Sequence, residues 1–172
     1  AASDVYKRQL SAIGAAAACG AGFVRVNVLN GSAWTDQGLV QGEADAVLRY
    51  RRSLDADIQI MADVGVKHAV PAGEDGVGRL AADAIGRGGA DGIIVTGKGT
   101  GMETSVDDLR AVREAVPGGR IWVGSGVTPE TVRAYRPFAD GVIVGTYLHG
   151  QSTITAPIDE DRVRTMVAAA RS

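Results

Sequence analysis

Residues Ile121–Thr146, IWVGSGVTPETVRAYRPFADGVIVGT, decide the fold. Ile121-Trp-Val-Gly-Ser-Gly126 begins as an apolar run and passes through small residues into Thr128-Pro129-Glu130, a helix start with Pro at the first helical position. Val142-Ile-Val-Gly-Thr146 then ends a second apolar run one unit later. This is one complete strand-turn-helix-strand unit.

Working outward, β-rich runs recur at Phe23–Leu29, Ile58–Val64, Gly92–Thr96, Ile121–Gly124 and Gly141–Thr146. The segments between them have helical spacing. Val40, Ala44, Val47, Leu48 and Leu54 share one face, and Leu80, Ala84 and Ile85 do the same for the next helix. Ser105-Val-Asp-Asp108 forms a capping-box-like start, and Asp159 opens a last helix ending near Ala170. The expectation is one helix followed by five strand-helix units.

Such alternation builds a parallel sheet covered by helices, and nearly continuous apolar strands (VRVNVL, IIV, VIVG) fit a sheet buried on both faces. Strand starts at 23, 58, 92, 121 and 141 repeat at a spacing that suits the eight-unit barrel, which five units cannot close. Two α/β architectures remain: an open doubly wound sheet, or the C-terminal five βα units of a (β/α)8 TIM barrel, an incomplete, open parallel arc.

Composition narrows the function classes. Among 172 residues the 24 glycines are about twice the ordinary share, which calls for an explanation in backbone geometry. Eighteen basic against 20 acidic residues leave a formal charge of −2, so no field draws in a polyanion and nucleic acid is not an expected partner. No apolar run reaches the ~18 residues of a spanning helix, so direct membrane insertion is not expected either. The lone Cys19 reads as core filler in a reducing, cytoplasmic compartment. Residues 1–9, AASDVYKRQ, resemble translated sequencing-adapter remnants and are expected to carry no fold information, which leaves 10–172 as a partial barrel domain whose gene starts upstream.

Three clusters carry chemistry. Gly124, Ser125 and Gly126, with Gly145 and Thr146, stand after the last two strands, where barrels often hold a phosphate on backbone N–H groups; the bland alternative is that these glycines only permit tight turns. Arg25 and Asn27 lie on one face of the first strand, Asp63 ends the next, and Lys67 and His68 follow. Asp63, Lys67 and His68 supply a carboxylate, a cation and an acid-base group for proton chemistry, with Arg25 and Asn27 orienting the substrate. The alternative is an Arg25–Asp63 ion pair with Lys67 and His68 on the surface.

Thr96-Gly-Lys-Gly-Thr-Gly101 offers Thr96 and Lys98 to an anionic ligand, Lys98 being otherwise a solvated residue. It is not a nucleotide-binding P-loop, because Ile93 to Thr96 are needed as strand and Gly99 replaces the magnesium-binding hydroxyl. Gly76-Val-Gly-Arg-Leu-Ala81 matches a dinucleotide fingerprint without the expected preceding strand. His68 and His149 are too far apart in sequence to suggest a metal, and no cofactor is expected. Asn30–Leu39 reads as a long βα loop that offers Asp36 as a substrate-binding group and Trp34 as a lid over a ligand or a cover for the core.

Taken together, Phe23-Val-Arg-Val-Asn-Val-Leu29 with Thr35-Asp-Gln-Gly38, Leu48-Arg-Tyr-Arg-Arg52, Ala62-Asp63 with Lys67-His68-Ala69, Val95-Thr-Gly97 with Thr100-Gly101, Val123-Gly-Ser-Gly126 and Asp140-Gly-Val-Ile-Val-Gly145 resemble the BtpA/SgcQ family over residues 10 to about 167. The resemblance implies a ribulose-phosphate-binding type of barrel with three further βα units N-terminal to these. It also implies either a role in photosystem I accumulation, with peripheral placement at photosynthetic membranes, or a role beside sugar uptake. No reaction is established for the family, so it assigns no catalytic residue. Two functions are therefore expected to compete. One is binding of a small phosphorylated metabolite with isomerase, aldolase or lyase chemistry, in a chain free to form a homo-oligomer; the other is a non-catalytic assembly factor for a membrane complex.

Overall fold

The computed structural model describes residues 8–35, 38–65, 69–71, 76–97 and 102–171. An N-terminal helix, α1 (Gln9–Cys19), precedes five units in which a parallel strand leads to a helix: β1 (Phe23–Val26) to α2 (Ala44–Ser53), β4 (Gln59–Val64) to α3 (Val77–Gly86), β6 (Gly92–Val95) to α4 (Val106–Ala115), β7 (Arg120–Val123) to α5 (Val132–Tyr135), and β8 (Gly141–Val142) to α6 (Glu160–Arg171). Two excursions add β2 (Ser32–Thr35) and β3 (Gly38–Gln41) after β1, and β5 (Ala69–Pro71) after β4.

The parallel sheet has the order β1-β4-β6-β7-β8. Spatial order follows chain order without reversal, whereas a doubly wound sheet reverses at a switch point. The sheet also curls. β1 and β7 are separated by two strands, roughly 14 Å apart if flat, yet the Phe23 and Trp122 rings meet edge-to-face with centroids 5.1 Å apart. A sequentially ordered, strongly curled parallel sheet is a sector of a barrel. The fold is five βα units of a (β/α)8 barrel forming an open arc.

Residue alternation divides the two faces of the arc. Val24, Val26, Ile60, Ala62, Val64, Ile93, Val95, Ile121 and Val123 are buried against the helices, where they meet Ile13, Val47, Ala81, Leu109 and Val112. The concave face interleaves large and absent side chains: Met61 lies opposite Gly92 and Trp122 opposite Gly141 in register. A methyl on Gly92 would stand 2.6 Å from Met61 Sδ, and one on Gly141 2.9 Å from Trp122 Nε1. Part of the glycine excess is therefore spent on packing inside the arc.

An internal repeat fastens the N-terminal ends of the strands. Ala90-Asp-Gly-Ile-Ile-Val95 and Ala139-Asp-Gly-Val-Ile-Val144 are nearly the same hexapeptide. In the first copy Asp91 donates its N–H to Ile60 O (2.9 Å) while its carboxylate accepts from Ile60 N–H (2.8 Å) and from Arg51 Nη1 (2.5 Å). In the second, Asp140 donates to Ile121 O (2.7 Å) and accepts from Ile121 N–H (2.8 Å) and Arg113 Nη2 (2.9 Å). Each aspartate thus joins its own strand to the preceding one and ties both to a helix. Burial pushes the Asp140 carboxyl up, but the Ile121 N–H and the Arg113 and Arg120 guanidinium groups outweigh it, and the net displacement is below the usual carboxylate range.

Several sequence expectations are corrected. The 30–39 stretch is a hairpin: Ala33 pairs with Val40 and Trp34 with Leu39, and β5 adds to the other edge of β2 as a second, antiparallel sheet. Its buried residues Ala33 and Val40 pack on Val28, so a cluster too small to show as periodicity holds it. β5 is also a strand before the 76–81 glycine motif, but an antiparallel one outside the βα repeat. Strands end earlier than expected: Leu29, Thr96, Gly124 and 143–146 lie beyond them.

The helix expected from Thr128-Pro129 begins only at Val132, because residues 129–131 form a turn closed by Thr128 Oγ1 and Thr131. Ser105 does cap α4, accepting from Asp108 N–H at 3.2 Å. Cys19 is exposed rather than core filler: it follows the α1 face that buries Gln9, Ile13 and Ala16, immediately before the left-handed Gly20.

Candidate functional site

The concave face and the C-terminal strand ends hold the polar groups. Arg25 on β1 and Asp63 on β4 share that face, and Arg25 Nε donates to both Asp63 carboxylate oxygens, at 3.0 and 3.1 Å. The Asp63 side chain is 2% exposed and the Arg25 side chain 36%. The ion-pair reading is thus the geometry found: Asp63 holds Arg25, and Arg25 faces the open interior. Its Nη2 lies 3.3 Å from where a Cβ would stand on Gly124, across the arc on the segment after β7. Such a Cβ would also come within 2.6 Å of Ile94 and 2.9 Å of Thr96, so only glycine leaves the guanidinium this path. Asn27 is half-buried in the bend that follows β1.

Thr96 is buried, and its hydroxyl donates to Gly65 O at 3.0 Å. It therefore ties two strand ends together. Asp36, Lys67, His68 and Lys98 lie outside the described residues.

Gly124–Gly126 serve two purposes. On one side they seat the segment Met102–Thr104: Ser125 Oγ donates to Met102 O (3.0 Å), and Thr104 Oγ1 donates to Ser125 O (3.0 Å). Gly97 and Gly126 admit this segment, since a methyl on either would stand 2.5 Å from Met102 O. Gly126 has φ +65°, a conformation that glycine adopts without penalty.

On the other side, Gly124–Gly126 line a cavity of about 270 Å³ together with Gly145, Thr146, Tyr147 and Ser152. The structure brings the two glycine loops, singled out 20 residues apart in sequence, onto one cavity. Among the described residues the backbone N–H groups of Gly126, Gly145 and Thr146 have no hydrogen-bond partner. With α5 only four residues long, no helix dipole of consequence is aimed here, and these N–H groups are the donors that the backbone offers.

The cavity's outer wall was not foreseen. After β8 the chain makes two 3-10 turns, Thr146–Leu148 and Gly150–Ser152, with Gln151 and Ser152 both at φ +53°. Two successive non-glycine residues in the left-handed region cost about 1–2 kcal/mol each. Among their holders is Arg162 on α6, which donates from Nε to Tyr147 O (2.5 Å) and from Nη2 to Ser152 Oγ (2.6 Å), with its guanidinium 4.4 Å from the Tyr147 ring centroid. No sequence signal marks Arg162, because its partners lie in irregular loop.

Among the described residues no three His, Cys, Asp or Glu side chains group to hold a metal ion, and no helix is long and apolar enough to cross a membrane.

Comparison with known proteins places this geometry. A sequence profile of the BtpA family matches residues 5–172. The photosystem I biogenesis protein BtpA of Synechocystis sp. is 42% identical over 159 residues, covering 92% of this chain and 55% of the relative. An uncharacterised protein of Pyrococcus furiosus is also 42% identical, covering 87% of this chain and 56% of its own length. The chain thus spans just over half the length of these relatives. A solved structure described as "Native KDPGal structure" superimposes with a TM-score of 0.59 at 13% identity, covering 94% of this chain and 64% of that one, a likeness of fold.

Proposed function

The chain belongs to the BtpA family, and from that premise we propose that its barrel arc binds a small phosphorylated metabolite. The phosphate is received by the cavity between Gly124–Gly126 and Gly145–Thr146, and the reacting part of the ligand lies toward Arg25 on the concave face. The observation that carries this reading is the convergence of two glycine loops, with N–H groups at Gly126, Gly145 and Thr146 that have no partner among the described residues, on one cavity at the C-terminal ends of the strands. That end is where barrels of this kind carry their chemistry.

Arg25 is a planar donor fixed from behind by Asp63, suited to a carbonyl or carboxylate oxygen of the ligand. Asp63, with both oxygens engaged, acts by holding Arg25. Lys67 and His68 follow directly in the chain and are the candidates for moving protons. Chemistry of the isomerase or lyase type, in which a proton moves beside a stabilised oxyanion, needs these groups. A thermal-shift screen of the full-length protein against phosphorylated sugars and their unphosphorylated counterparts tests the reading: only the phosphorylated compounds are expected to stabilise, and a flat response across the phosphorylated set overturns it.

A second reading has one observation in its favour, the name of the Synechocystis relative, a photosystem I biogenesis protein. In that reading the barrel is a non-catalytic assembly factor for a membrane complex. Capture of such a complex by the full-length protein, undiminished by Arg25→Ala and Lys67→Ala, supports it; loss of capture in those variants returns the weight to the ligand site.

A further inference from the structure

We propose that Arg162 is the cation of this cavity and that Ser152, which Arg162 holds, donates directly to the bound phosphoryl group. The proposal rests on the reading that the cavity takes a phosphate. Glycine loops alone supply neutral donors, whereas a phosphoryl dianion in a concave site calls for positive charge nearby. Arg25, Arg51 and Arg113 each face a carboxylate. Arg162 follows three acidic residues, yet among the described residues it pairs with none of them.

Its acidic neighbours are engaged elsewhere. Asp159 accepts from the Asp161 and Arg162 N–H groups at the start of α6, while Glu160 and Asp161 accept from Arg164. The charge of Arg162 is thus turned toward Tyr147 and Ser152, both of which line the cavity.

Hydrogen-bond direction gives Ser152 its role. A guanidinium has donors only, so Ser152 Oγ must accept from Arg162 Nη2, and the hydroxyl proton remains for another acceptor. Ser152 stands at φ +53° on the rim. The same Arg162 fixes the Thr146–Leu148 turn by accepting no bond itself and donating to Tyr147 O. One side chain therefore sets both the Thr146 N–H and the Ser152 hydroxyl around one space, and supplies the charge behind them.

The test is isothermal titration of full-length wild type, Ser152→Ala, Arg162→Lys, Arg162→Ala and the Arg162→Ala/Ser152→Ala double variant with inorganic phosphate and glycerol 3-phosphate, with glycerol as the neutral control. Expected are tenfold or greater weakening of both anions by Arg162→Ala and severalfold by Ser152→Ala. The double variant should be within twofold of Arg162→Ala, and the dependence of affinity on ionic strength should be shallower without Arg162. Ser152 is exposed and Arg162 keeps its bond to Tyr147 O without it, so the Ser152→Ala variant should fold, and it decides the matter together with Arg162→Lys if Arg162→Ala does not fold. Wild-type affinity for both anions in Ser152→Ala and either Arg162 variant overturns this proposal while leaving the phosphate reading standing. Failure of wild type to bind either anion overturns both.

Discussion

The two copies of the Ala-Asp-Gly-x-Ile-Val hexapeptide make one structure at their N-terminal ends and two different ones at their C-terminal ends. Below, Asp91 and Asp140 form the same bridge to the preceding strand and the same tie to an arginine near the end of the helix before that strand. Above, the first copy runs into Thr96-Gly97, against which Met102–Thr104 is packed, and the second into Gly145-Thr146, which borders an open cavity. The repeated residues fix strand position, and the residues that follow decide whether the strand end is filled or open. This separates scaffold from site in a barrel: stability belongs to the lower face and chemistry to the upper.

The largest effect should come from filling each upper end with one methyl. Gly97→Ala puts a Cβ 2.5 Å from Met102 O and 2.6 Å from Glu103 O, a clash with backbone that should cost about 3 kcal/mol or more. Gly145→Ala meets nothing within 4 Å at φ −123° and should change stability by less than about 0.5 kcal/mol. Urea denaturation of the two variants checks the contrast, and equal losses would abolish it.

Next, the lower ends should behave alike. Asp91→Ala and Asp140→Ala each remove an acceptor from a strand N–H and an arginine, and each should cost about 1–3 kcal/mol, measured in the same way. A loss confined to one copy would show that the shared geometry does not carry shared energy.

A smaller effect follows from the displaced ionisation of Asp140. Its folded-state value lies below the ordinary one, so its contribution is fully present above the unfolded carboxylate pKa and is lost as pH falls through the folded value. Asp140→Asn should therefore lose less stability than wild type as pH falls across the acid range; parallel stability curves would refute this. The smallest change is Gln151→Gly, which relieves one left-handed residue beside the open end and should raise the melting midpoint by the equivalent of about 0.5 kcal/mol. A lowered midpoint would mean that the Gln151 side chain holds the rim in place.

Much of this was readable because the signals are local. Strand-helix alternation, the Ser105 cap and the small residues after β7 and β8 depend on neighbours a few residues away. The antiparallel sheet was not readable, because its strands are three or four residues long and, among the described residues, its buried cluster is only Val28, Ala33 and Val40. The same length limit hid the late start of α5, where a Thr128–Thr131 turn displaces the first helical residues. Ser125 shows a deeper limit: its type suits a ligand, but only the fold reveals that its hydroxyl is already engaged with Met102 O.

By itself the sequence determined a parallel α/β sheet covered by helices, with glycine-lined ends after its last two strands. Burial on both faces and the short helical period leave no other way to hide those apolar runs. Only the tertiary structure decided that the sheet curls in unreversed order as a barrel sector, that Asp63 serves Arg25, that Gly97 and Gly126 admit a passing segment while Gly145 borders open space, and that Arg162 reaches back to Tyr147 and Ser152 on the cavity wall. The Arg25–Asp63, Gly126–Met102 and Arg162–Ser152 meetings join residues at least ten apart, across irregular backbone or between strands. No periodicity in the chain encodes such a meeting; it follows from where the curled sheet puts the strand ends.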